Sequence, residues 1–252
     1  MDLGLNGKVA IVTGAGSQIG FGKGIALKLA EEGCDIAVSD INMEGVKQTV
    51  SEIEALGRKA IAIKVDVTNK VEVNQMVEKV LSVFGKIDIL VNNAGGSTPP
   101  QFFAETDMSK WEKDIYLNLI GTMNCTRAVI PHMISRKRGD IVSIASDGGI
   151  DGVPTGTSYG AAKAGVINFT VSLAQEVANS GIKVNCIAPA FGATAFYMQF
   201  PPQFEKIRQD LTSANRSVTP EDVGKTVAYL ASDASIRIVG QCLRLSNKMS
   251  AR

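Results

Sequence analysis

The chain has 252 residues, of which 45% are hydrophobic and 20% charged, and its formal net charge is +1. That is the composition of a globular domain large enough for one substantial core, and so small a net charge excludes bulk attraction to nucleic acid or an acidic membrane. No apolar stretch reaches the ~18 residues that a membrane span needs. No basic region followed by a cleavable apolar segment opens the chain, so residue 1 onward is expected to be mature domain. Cys34, Cys125, Cys186 and Cys242 are far apart and lack metal-ligand spacing; they read as buried thiols of a reducing, cytoplasmic compartment. The single histidine, His132, follows "VIP" ahead of a basic run and is expected to be a solvated helix-end residue, not a catalyst.

Short apolar runs alternate with longer stretches of helical period. "KVAIVTG" (8–14) predicts a first strand, and 22–34 a helix whose Ile25, Ala26, Leu29 and Ala30 recur at helical spacing before Gly33. Further strands are predicted at 35–40, 59–67, 87–96, 139–146, 182–189 and 240–246. The helices between them are predicted at 44–57, 70–85, 111–134, 159–181 and 220–232, the last with Pro220 suited to its first turn. The strands are near-continuous apolar runs, as strands buried on both faces should be. Strand–helix alternation then implies one α/β domain over residues 1–252, a doubly wound parallel sheet of about seven strands with helices on both faces. Residues 191–218 mix glycine, proline and aromatics and are predicted to be a substrate loop or lid.

In such a sheet, ligands bind beyond the carboxyl ends of the strands. There the chain places Gly14, Asp40, Asp66, Asn93-Ala94-Gly95, Ser146 and Pro189 in turn. The stretch "TGAGSQIGFGKG" (13–24) lets the backbone turn sharply and approach a ligand, and the helix it opens offers a positive N-terminus to a pyrophosphate. Asp40 ends the second strand, where a carboxylate hydrogen-bonds an adenosine ribose; the alternative is that it caps the next helix. Tyr159 and Lys163 are four apart, so on a helix their Cβ atoms lie about 5–6 Å from each other. An ammonium there favours phenolate over phenol and lowers a pKa that is otherwise about 10, toward the working range of a general acid/base. Alone the two would more often be a surface pair. Ser146, thirteen residues earlier, and the glycine-rich turn favour catalysis.

Together, the turn at 13–22, "DV" at 66–67, "NNAG" at 92–95, Asn118 in "LNLIGT", Ser146, "YGAAK" at 159–163 and "NCIAP" at 185–189 resemble the short-chain dehydrogenases/reductases over nearly the whole chain. The resemblance implies a Rossmann-like fold and a catalytic set of Asn118, Ser146, Tyr159 and Lys163. Tyr159 would exchange the proton, Ser146 hold the substrate oxygen, and Lys163 bind the nicotinamide ribose while depressing the tyrosine pKa. Asn118 would support a water chain to Lys163, or else only satisfy backbone groups. The cofactor would be NAD, because Asp40 would repel the 2′-phosphate of NADP. Its implied contacts are Gly14, Ser17, Gly20, Phe21, Asp40, Asp66, Val67, Asn93, Ala94, Gly95, Tyr159, Lys163, Pro189 and Thr194. Any of these can be structural instead, and Asn93 especially can tie neighbouring strands together.

The glycine turn is two residues longer than is usual in the family and resembles that of the enoyl reductases, but Val166 stands where those enzymes carry their lysine. Carbonyl chemistry is therefore expected. "IASDGG" (144–149) resembles members acting on ring-bearing secondary alcohols, including a ring-hydroxyl acyl-CoA. Phe196, Tyr197, Met198, Phe200 and Phe204 suggest an apolar or cyclic substrate, or pack the lid itself. The expected protein is an NAD-dependent alcohol dehydrogenase/ketoreductase with a small-molecule substrate. It would need no metal and would engage neither nucleic acid nor membrane. The family implies a homo-oligomer, a tetramer, or a dimer given the atypical C-terminus "RLSNKMSAR". A 3-oxoacyl thioester reductase, a nucleotide-binding regulator of weak activity and a structural subunit are the alternatives.

Overall fold

The computed structural model describes residues 2–190, 192 and 217–246. Seven strands form one sheet: β1 (Val9–Thr13), β2 (Asp35–Asp40), β3 (Ala60–Lys64), β4 (Ile89–Asn92), β5 (Gly139–Ile144), β6 (Ile182–Pro189) and β7 (Cys242–Leu245). Their order is β3-β2-β1-β4-β5-β6-β7, and every pairing is parallel. The chain therefore winds outward from β1 in one direction and, after crossing to β4, outward in the other. The β1–β4 boundary is the switch point at which ligands bind in sheets of this kind.

The helices are α1 (Phe21–Glu31), α2 (Met43–Ala55), α3 (Lys70–Phe84), α4 (Met108–Ile115), α5 (Gly121–Arg136), α6 (Gly148–Asp151), α7 (Thr157–Glu176) and α8 (Pro220–Leu230). Successive strand residues point to opposite faces, and the two cores show it. Ala10 and Val12 of β1 pack with Ile25 and Leu29 of α1, Val46 and Ile53 of α2, and Val223 and Val227 of α8. Val9 and Ile11 pack with Met76 and Val80 of α3, Val129 and Met133 of α5, and Leu173 of α7. The strands are thus covered on both sides, as their unbroken apolar sequence predicts.

Several boundaries differ from the sequence reading. The strand expected to run to residue 67 ends at Lys64, and the one expected over 87–96 is confined to Ile89–Asn92. The helix expected at 111–134 starts earlier, at Met108, because the Asp107 carboxylate accepts from the Ser109 N–H at 2.8 Å. It is also interrupted by a π-helical turn over Tyr116–Ile120. His132 is not a free helix-end residue: its Nε2 accepts from the Ile87 N–H at 3.2 Å, and burial pushes its pKa down. Cys186 and Cys242, distant in sequence, are registered partners on β6 and β7. The aromatic lid residues expected between 193 and 216 lie outside the described residues.

Candidate active site

The carboxyl ends of β1 to β6 open into a cleft of about 350 Å³. Gly14, Ser17, Gly20, Phe21, Asp40, Asp66, Val67, Asn93, Ala94, Gly95, Ser146, Tyr159, Lys163 and Pro189 all line it. Asn118 stands behind its wall, fully buried, and Thr194 lies outside the described residues. The sequence reading missed Ile41, Val65, Gly96, Ser97, Leu117, Ile144, Ala145 and Ala190. Most of these flank a residue that was singled out, so the strand-end rule could have been widened by one position. Leu117 precedes Asn118 but lies at no strand end; it stands in the π turn.

At one end of the cleft, Gly14 has φ +67°, and a Cβ there would lie 2.6 Å from the Ala94 Cα. That contact keeps the first turn against the end of β4. The Asn93 Nδ2 donates to the carbonyls of Thr13 and Gly14, each at 2.9 Å, so its side chain ties β1 to β4. Helix α1 begins at Gly20 with no side-chain cap and no acidic residue in its first turn. Its first N–H groups are therefore open to an anionic group in the cleft.

The Asp40 carboxylate accepts from the Gly16 N–H at 2.9 Å and the Asn42 N–H at 3.0 Å. It does not cap α2; Asn42 does, accepting from the Gly45 N–H. Two of the carboxylate's roughly four lone-pair positions are thereby filled, and its orientation is fixed toward the cleft. Lys23, the nearest basic residue after the turn, is held by Glu52 at 2.7 Å and Gln18 at 2.8 Å. Asp66 accepts from the Thr68 N–H and hydroxyl, which locks the "DV" corner.

At the other end, Ser146 ends the segment after β5. The Gly148 N–H donates to the Ser146 Oγ at 3.1 Å, and Ser146 is in turn hydrogen-bonded with Tyr159. Helix α7 carries Tyr159 and Lys163 on one face, with the Lys163 Nζ 5.8 Å from the centre of the Tyr159 ring. Lys163 is buried, and its Nζ donates to the Ile144 carbonyl at 2.7 Å. Gly95 separates it from Asn118: a Cβ on Gly95 would lie 2.7 Å from the Asn118 Oδ1 and 3.2 Å from the Lys163 Nζ. The Asn118 side chain satisfies backbone groups, donating to the carbonyls of Gly96 (2.7 Å) and Asp114 (2.8 Å) and accepting from the Gly96 N–H (3.2 Å).

The expectation of a lowered tyrosine pKa is corrected. Burial pushes the Tyr159 phenol up to about 12, an effect the hydrogen bond from Ser146 only partly offsets and the Asp114 charge reinforces. Burial likewise pulls Lys163 down to about 8. A phenolate in this wall loses more by desolvation than a lysine turned toward a carbonyl returns to it. Tyr159 is therefore protonated at neutral pH.

Residues 8–204 match the family described as short chain dehydrogenase. The chain is 38% identical to the (2S)-[(R)-hydroxy(phenyl)methyl]succinyl-CoA dehydrogenase subunit BbsD of Thauera aromatica, over 96% of each chain. It is 37% identical to the 3-oxoacyl-[acyl-carrier-protein] reductase FabG of Thermotoga maritima, over 95% of this chain and 96% of the relative. A solved structure described as a short-chain dehydrogenase/reductase from Burkholderia xenovorans superposes with a TM-score of 0.92 at 30% identity, over 98% of both chains. The chain belongs to the short-chain dehydrogenase/reductase family. It is an oxidoreductase of that family, which works with a nicotinamide dinucleotide.

The two shifted groups predict a pH profile. On the expected roles of Tyr159 as proton donor and Lys163 as cation, the proton is in place throughout the neutral range and the charge is lost as pH rises through about 8. The kcat/KM for ketone reduction should therefore be flat at neutral pH and fall above about 8. A profile that stays flat to pH about 10, the ordinary tyrosine range, would contradict this assignment.

Proposed function

We propose that the protein is an NAD-dependent dehydrogenase/reductase that interconverts a secondary alcohol and a ketone on an apolar or cyclic substrate, a ring-hydroxyl acyl-CoA being the most specific member of that class. One observation carries the reading: a single cleft joins an oriented carboxylate, Asp40, to Ser146, Tyr159 and Lys163. The phenyl-bearing succinyl-CoA named for the Thauera relative supports the ring and thioester parts of the substrate class.

The cofactor, when bound, supplies the hydride acceptor or donor. The open N-terminus of α1, with Ser17, Gly20 and Phe21, would hold its pyrophosphate. Asp40 would take the adenosine ribose hydroxyls, Asp66 and Val67 would border the adenine, and Gly14 with Asn93-Ala94-Gly95 would underlie the adenosine. Lys163 would hold the nicotinamide ribose, and Pro189 with Thr194 would cover the nicotinamide end. In reduction, Tyr159 donates its O–H proton to the substrate oxygen while the Ser146 hydroxyl hydrogen-bonds that same oxygen. The Gly148 N–H donates to the Ser146 Oγ, and the hydroxyl proton that meets Tyr159 would turn to the substrate oxygen. In oxidation the proton moves the other way. Asn118 acts by holding Gly96, and with it the wall beside Lys163.

A second reading, reduction of a 3-oxoacyl thioester, is favoured by the 37% identity to the Thermotoga reductase and would use the same residues. A panel of cyclic and aryl secondary alcohols, their ketones and 3-oxoacyl thioesters, assayed with NAD(H) and NADP(H) at the nicotinamide absorbance, separates the two. Within it, Tyr159→Phe should lower turnover by at least about 10²-fold, the low end for general acid/base catalysis, with little change in cofactor affinity. A phenylalanine variant of near-wild-type rate would refute the mechanism.

Cofactor choice tests the other end of the cleft. A 2′-phosphate would meet the Asp40 carboxylate, while Lys23 is held by Glu52. Like charges so placed cost several kcal/mol, and about 1.4 kcal/mol is tenfold. NAD should exceed NADP by at least about 10²-fold in kcat/KM. Asp40→Ala should narrow the ratio, and equal use of both cofactors by the wild type would contradict the role given to Asp40.

A further inference from the structure

Asp114 lies on the last turn of α4, outside every motif singled out in the sequence. It is 3% exposed, and among the described residues no lysine or arginine stands within ion-pair distance of it. A buried carboxylate without a cation is costly unless donors converge on it. Here they do. The Asp114 Oδ1 accepts from the Thr98 N–H at 2.8 Å, and Oδ2 accepts from the Thr98 hydroxyl at 3.1 Å and the Ser158 hydroxyl at 2.7 Å. The Asp114 backbone carbonyl accepts from Asn118, whose amide also binds Gly96 on both its N–H and its C=O.

These bonds converge on the proposed reaction centre. Ser158 immediately precedes Tyr159 in the first turn of α7, a helix that starts at Gly156 with no side-chain cap of its own. Thr98 follows Gly96 and Ser97, which line the cleft. One carboxylate thus fastens the uncapped start of the catalytic helix to the loop that forms the opposite wall.

We propose that Asp114 is a positioning residue, a clamp that sets the Tyr159 hydroxyl against Ser146 by holding Ser158 and Thr98 together. This rests on the reading of Tyr159 as the proton-transfer group. The groups facing Tyr159 are Ser146 from the end of β5, Lys163 on its own helix and Asp114 from α4. Asp147, next to Ser146, is tied to Arg244 of β7. The negative charge of Asp114 also opposes formation of the phenolate. A position needed only for packing would carry no such charge, since an apolar residue would avoid both the desolvation and the repulsion.

The test compares Asp114→Ala, Asp114→Asn, Ser158→Ala and Tyr159→Phe with the fastest alcohol–ketone pair of the panel, together with an NADH fluorescence titration of each. Alanine removes the clamp. It should lower kcat by about 10²-fold, the scale of an ångström-sized misplacement, and leave NADH affinity and substrate KM nearly unchanged. Asparagine keeps an acceptor for the Thr98 N–H and offers N–H donors to the two hydroxyls, so it should recover most of the rate. With the charge gone, phenolate forms more readily, and the asparagine variant's pH profile for alcohol oxidation should move to lower pH.

An alanine variant with wild-type kcat would overturn the proposal. So would a Ser158→Ala variant with wild-type kcat, since it removes the arm of the clamp on α7, and this also decides the matter if the alanine variant at position 114 does not fold. Tyr159→Phe separates the two readings. If it keeps its rate, the acid/base assignment has failed; if it is inactive while both Asp114 variants match the wild type, only the clamp has failed.

Discussion

The structure turns on one buried ammonium. Lys163 sits inside the sheet's carboxyl edge, and its strongest contact is the carbonyl of Ile144 at 2.7 Å, the last residue of β5. Among the described residues no carboxylate lies within ion-pair distance of it. Desolvation lowers its pKa to about 8, which is the physical sign of an unrelieved buried charge. A fold selected for stability alone would place an apolar side chain there, because replacing buried charge by packed hydrocarbon is often neutral or stabilising. The surrounding architecture keeps the charge in place nonetheless.

It does so through the parallel register. Asn92 pairs with Ser143 and Ile144 with Ile187, and β6 runs on to Pro189, so the carboxyl ends of β4, β5 and β6 bring Gly95, Ser146 and Pro189 to one cleft. The π turn over Tyr116–Ile120 aims Asn118 at Gly96, and a glycine at position 95 leaves just enough room between Asn118 and Lys163. On the far side of the switch point, Gly14 packs on Ala94, and Asp40 is oriented by the Gly16 and Asn42 N–H groups. Each end of the cleft is held by backbone hydrogen bonds, and both ends depend on the same strand alignment.

That division explains what could be read from the sequence. Strand–helix alternation and unbroken apolar runs such as "VAIVT" dictate the sheet and its two covered faces, and the strand ends locate the cleft, with Gly14, Asp40, Asp66, Asn93-Ala94-Gly95, Ser146 and Pro189 all in its lining. Spacing along the chain also singles out Ser146, Tyr159 and Lys163, which the fold brings into that cleft. What was not legible depends on contacts across the fold. The π turn has no periodic signature, so residues 111–134 read as one helix. The Asp114 clamp joins elements that are remote in sequence, and His132 finds its donor at Ile87, on the segment leading into β4. The direction of the Tyr159 shift was misread for a related reason. Helical spacing reports the distance to Lys163, but not the desolvation of the Tyr159 hydroxyl, which is the larger effect.

On the reading proposed for the cleft, Lys163 is kept for the cofactor and not for the fold. Calorimetric melting of wild type and Lys163→Met, with and without saturating NAD, tests it without any knowledge of the substrate. A ligand that binds only the folded state at about 100 times its Kd stabilises by about 2.7 kcal/mol. The account predicts that the methionine variant without NAD melts at or above the wild-type temperature and loses most of the NAD-induced rise. A variant that melts lower than wild type yet keeps the full NAD-induced rise would contradict it, and would make Lys163 a structural residue.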